Sequence, residues 1–207
     1  MMYQCDPYHC TRADLVAIGI KLSMEFLLLN RLAVPEFRED PRCNVFRGGP
    51  GAKGFYRPTV VSYCSVNHSL PVKVPVRAWS FPGYKADVTP VGVIAHEVGH
   101  HVDHLTDLRK KFKTEWESVV QQEPAVTSYE PHPGEAFAEA LRLFITNPHL
   151  LRLGRPKRYA FITHTLQLMP LHDEPWHVVL FHAHERFHEV ARKWISSGQS
   201  AALEVTP

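Results

Sequence analysis

No stretch of the sequence approaches the run of about 20 apolar residues that a membrane-spanning helix needs. Residues 1–6 lack the basic segment and following apolar segment of an export signal. The chain is therefore expected to be soluble, with no membrane partner. Strong charge is also missing. The 23 Lys and Arg against 21 Asp and Glu leave a net +2, too little to imply nucleic acid as a partner. The one dense basic run, residues 152–158, reads as a solvated loop. Cysteine is sparse: Cys5, Cys10, Cys43 and Cys64 contain no Cys-x-x-Cys pair, which removes the strongest signature of a structural zinc knuckle. Without an export signal, reduced thiols and no second zinc are expected. The Gly/Pro-rich segment 47–52 is not followed by Gly-Lys-Ser/Thr, so it is a loop and not a phosphate cradle.

What is present suits one compact domain over residues 1–207, with 44% apolar residues to build a core and 17 prolines to punctuate it. Thr11 and Asp14 form a capping-box pattern that opens a helix through Leu15, Ile18, Leu22, Phe26 and Leu29, within 11–34. Residues 59–81 read as strands, and the prolines Pro71 and Pro75 suit an edge. Trp79 lies on the segment expected to be that edge, where an extended peptide substrate could be added as one more strand. Helices follow over 89–146, then a helical C-terminal part over 147–198 and a loose tail over 199–207. The expectation is an α+β fold, mostly helical, with a small N-terminal sheet preceding the central helix.

That helix holds His96-Glu97-Val98-Gly99-His100, the HExxH pattern, opened by Thr89-Pro90. His96 and His100 fall one turn apart on one face and can reach a single metal ion. Glu97 is placed to take a proton from a water polarised by that metal. The apolar flanks Val93, Ile94, Ala95, Val102 and Leu105 suit a helix packed on one side and open on the other. Asp103, three residues after His100, is a candidate partner for a ligand imidazole, whereas His101 and His104 read as surface histidines. A second match, His184 to His188, has Arg186 and Phe187 at its centre and reads as coincidence in a chain with 14 histidines.

Further on, Glu135 and Glu139 stand one turn apart on a helix whose Phe137, Ala138, Leu141 and Phe144 are apolar. Buried carboxylates need partners. A metal ligand at Glu135 and a carboxylate at Glu139 holding a ligand imidazole would supply them.

Together these two motifs, with Thr127-Ser128-Tyr129 between them, resemble the catalytic domain of anthrax lethal factor and the related Pro-Pro endopeptidases, which are zincin metalloproteases. The resemblance covers roughly residues 93–144 and extends more loosely, over 147–161, to zincin domains of phage-associated proteins. It implies a zincin-like fold, a Zn2+ cofactor, a protein or peptide substrate and a cytoplasmic or phage-associated setting. It also implies His96, His100 and Glu135 as ligands, Glu97 as general base, Tyr129 as the oxyanion-stabilising residue and Glu139 as the residue that orients a ligand. The metzincin arrangement is excluded, because it needs histidine where Thr106 stands and glycine where Asp103 stands. Repressor-cleaving peptidases share the HExxH and a later glutamate. A phage or mobile-element binding module that kept the fold without turnover is the competing class, against which Glu97 and Tyr129 both count.

Overall fold

The computed structural model describes residues 10–40, 54–64, 86–130 and 132–173. Among these the chain is α+β, mostly helical, with a three-stranded sheet. Helix α1 (Arg12–Leu29) opens with the expected capping box: Thr11 Oγ1 accepts from the Asp14 N–H, and the Asp14 carboxylate accepts from the Thr11 N–H. Its Leu15, Ile18, Phe26 and Leu27 are buried. No described helix is long and apolar enough to cross a membrane.

Strand β1 (Glu36–Asp40) pairs in parallel with β3 (Val60–Cys64), and β2 (Gly54–Arg57) pairs antiparallel with β3, giving the order β1-β3-β2. Only β3 falls within the expected strand region, and residues 65–85, including Trp79, lie outside the described residues. The sequence reading missed β1 because four of its five residues are charged, which is how an outer strand is commonly blunted. Phe37 alone ties it to the core. The expectation of reduced thiols fails: Cys10 and Cys64 are both disulfide-bonded, so neither can serve as a zinc ligand. Such pairing depends on tertiary proximity, which sequence spacing does not reveal.

Helix α2 (Pro90–Thr106) is the centre of the molecule. Thr89 caps it by accepting from the Gly92 N–H, the Asp87 carboxylate accepts from the Thr89 N–H, and the left-handed Asp107 ends it. The charged stretch after it breaks at Phe112 into α3 (Leu108–Lys111) and α4 (Lys113–Gln122) instead of forming one helix. Helix α5 (Pro133–Thr146) lies against α2, and the crossing point is Gly99 against Ala138. A Cβ at position 99 would sit 2.6 Å from Ala138 Cα, so the two backbones can approach this closely only because residue 99 carries no side chain.

Helices α6 (Pro148–Gly154) and α7 (Pro156–Ala160) follow within the expected helical part, and α7 runs into a π-turn at Phe161–Thr165. The core gathers Phe26, Trp116, Phe137, Phe144 and Phe161, with the Trp116 indole N–H donating to the Pro133 carbonyl. Residues 174–207, with His184 and His188, lie outside the described residues.

Candidate metal centre

The Gly99–Ala138 contact places one turn of α2 opposite one turn of α5, so His96 and His100 face Glu135 and Glu139. Glu135 Oε2 lies 3.1 Å from His96 Nε2 and 3.5 Å from His100 Nε2. Ligand atoms about 2.0–2.1 Å from a tetrahedral zinc stand about 3.3 Å apart, so the carboxylate oxygen already has that spacing from both imidazole nitrogens. Among the described residues they form the one group of His, Cys, Asp and Glu that converges in this way. Two imidazole nitrogens and one carboxylate oxygen are a donor set that suits zinc and leaves one position open.

The other nitrogen of His96 is fixed. Its Nδ1–H donates to Glu139 Oε1 at 2.7 Å, which directs Nε2 at the metal position. Glu139 is 2% exposed and is held in turn by the Thr127 hydroxyl at 2.8 Å and by Arg142 Nη2 at 3.0 Å. Arg142 is buried beside Asp87, whose carboxylate caps the start of α2. A single buried network therefore runs from the N-terminus of α2 through Asp87, Arg142 and Glu139 to His96.

The electrostatics follow from this arrangement. Burial opposes charge on His96, yet its hydrogen bonds to Glu135 and Glu139 outweigh that and raise its pKa to about 9 in the metal-free site. Bonds from His100 and His96 hold the Glu135 carboxyl well below the usual range. Burial disfavours the charged form of Glu139, but Arg142 and His96 overcome it and keep its carboxyl low. Burial pushes the Glu97 carboxyl upward.

Tyr129 lies beside this cluster. Its ring centroid is 5.6 Å from that of His96, and its side chain is half exposed at the mouth of the cleft. Its backbone N–H donates to Thr127 Oγ1, so the tyrosine loop is hydrogen-bonded to the group that holds Glu139. Burial, with Glu135, Glu97 and Glu139 nearby, raises its hydroxyl pKa and keeps the proton in place to donate. Glu130 braces the loop: its Oε1 accepts from the N–H groups of Val126 and Thr127, and its Oε2 accepts from Arg158 Nη1 at 2.8 Å. Arg155 reaches the Ala125 carbonyl. The basic run 152–158 is therefore not wholly a solvated loop, since Arg155 and Arg158 are buried under the tyrosine loop.

The cleft that contains these groups has a volume of about 870 Å³ and is bordered by β2, α2, α5 and the tyrosine loop. Asp103 lines it, but its carboxylate accepts from Arg109 Nε at 2.8 Å instead of holding a ligand imidazole. His101 was expected at the surface; it is 2% exposed, with Nε2 donating to the Ala33 carbonyl. His104 is exposed, as expected. Thr127, Asp87, Arg142, Glu130 and Arg158 were not foreseen. The nearest signal was Arg142 three residues after Glu139 on a helix already expected to be buried.

Compared with known protein families, with curated proteins and with solved structures, the chain matches none.

Proposed function

We propose that the chain is a zincin-like, zinc-dependent endopeptidase. The observation that carries this reading is the convergence of Glu135, from α5, on the two imidazoles of α2, with Glu139 fixing the far nitrogen of one of them. His96, His100 and Glu135 would hold a zinc ion, which when bound would supply Lewis acidity and a water of lowered pKa, towards about 7.

The chain's own residues supply the rest. Glu97, beside the ligands and buried, takes the proton of the attacking water and passes it to the leaving amine. Tyr129 donates its O–H to the oxygen of the peptide carbonyl as negative charge develops there. The open side of the cleft admits an extended peptide, while the Asp87–Arg142–Glu139 network keeps His96 from turning. A binding module needs neither a buried base beside the ligands nor a hydroxyl donor opposite it.

Metal analysis should find one zinc per chain. Incubation with a proteome-derived peptide library should give cleavage products that disappear in Glu97→Gln while its zinc is retained. Tyr129→Phe should lower turnover and leave zinc content and KM unchanged. Cleavage undiminished in Glu97→Gln would refute the mechanism.

A further inference from the structure

The HExxH helix presents two pairs of residues to two different neighbours. His96 and His100 face α5. Glu97 and His101, also one turn apart, face β2. The contacts on that second side are close. A Cβ built on Gly54 would lie 2.8 Å from both Cγ and Oε1 of Glu97 and 2.6 Å from Cγ1 of Val93, all shorter than real Cβ contacts. The Tyr56 ring lies 5.6 Å from that of His101 at a 60° tilt, and His101 Nδ1 accepts from the Tyr56 hydroxyl at 3.3 Å while Nε2 donates to Ala33. A turn further along α2 than the base, a buried histidine thus fastens the strand to the helix.

We propose that β2 is the element that aims the general base: the bare Cα of Gly54 leaves room for Glu97, and His101, through Tyr56, holds the strand in register against α2. The inference rests on the peptidase reading and adds positioning residues to it. Gly54 meets Val93 and Glu97, His101 meets Tyr56 and Ala33, and on this reading both act through Glu97. Simple packing would also place a small residue at position 54, but it would not require that the contact partner be the base. The arrangement further explains a buried histidine directly after the last helix ligand, since neither metal nor substrate needs one there.

The test uses the full chain loaded with one zinc and a peptide selected from the library by its cleavage. Gly54→Ala should keep its zinc and its KM while kcat falls by about 100-fold, the cost expected when a reacting group is misplaced by about 1 Å. If the 2.6 Å contact with Val93 prevents that variant from folding, Gly54→Ala/Val93→Ala, measured against Val93→Ala alone, isolates the contact with Glu97.

A second measurement needs no activity. In urea unfolding of the metal-free chain, Gly54→Ala should destabilise less when Glu97 is already alanine. The Val93 contact is present in both backgrounds and cancels from the cycle. Wild-type kcat in zinc-loaded Gly54→Ala, or strict additivity in the cycle, overturns the inference. Failure of the peptidase reading is distinguishable, because there the wild-type chain itself would cleave no peptide in the library.

Discussion

Replacing Glu139 by alanine tests the buried network most directly, because that carboxylate both orients His96 and neutralises Arg142. It accepts from His96 Nδ1 at 2.7 Å, from Thr127 at 2.8 Å and from Arg142 at 3.0 Å, and it is almost fully buried. With it gone, the ion pair left to Arg142 among the described residues is the one with Asp87, 4.0 Å away. Removing one member of a buried ion pair costs about 3–5 kcal/mol, a large share of the stability of a domain this size. Glu139→Ala should therefore be severely destabilised in urea unfolding of the metal-free chain. Its zinc affinity should also fall by about 10- to 100-fold through loss of the imidazole's partner. The double variant Glu139→Ala/Arg142→Met should recover much of the stability, since the uncompensated cation is removed, but none of the zinc affinity. A single variant as stable as wild type, or a double variant less stable than the single, would refute the reasoning.

Zinc bound as proposed would compete with a proton on His96, whose pKa is raised to about 9 in the metal-free site, so apparent zinc affinity should rise about tenfold per pH unit between about pH 7 and 9. Calorimetry in buffers of different ionisation enthalpy should detect about one proton released per zinc bound near neutral pH, and an affinity flat across this range would sink the assignment. The metal-free fold has the opposite dependence: the stabilisation from protonated His96 is complete below its ordinary pKa of 6.5 and is lost as pH rises through about 9. The stabilisation from Glu135 and Glu139, whose pKa values are held below 4.5, is lost only as pH falls below that value, so urea unfolding should show both flanks. Gly99→Val should cost about 1–3 kcal/mol by overpacking the crossing and should release zinc, and a variant with wild-type melting temperature and full zinc content would show that the helices tolerate the spacing. Arg158→Met should destabilise the chain by leaving Glu130 buried and unpaired, whereas Arg152→Ala, at an exposed position, should stay within about 0.5 kcal/mol of wild type in the same unfolding assay.

What the sequence determined by itself is what a short helical repeat encodes. The turn spacing of His96 with His100, and of Glu135 with Glu139, puts each pair on one face wherever the helix lies, and the caps at Thr11 and Thr89 depend on residues at most three positions away. Tyr129 was legible through resemblance alone, and the structure brings it beside His96.

The tertiary structure decided which neighbour each face meets. Asp103 and His101 lie on the same helix as the ligands, yet one is engaged by Arg109 from the next segment and the other by Ala33 and Tyr56 from far earlier in the chain. The same limit hid β1, whose charged sequence reads as a loop until β3 is beside it, and Arg158, which reads as solvated until Trp116 and the tyrosine loop cover it. Burial, ion pairing and the aim of Glu97 all depend on groups distant in sequence, and their energies appear only once folding has removed the water between them.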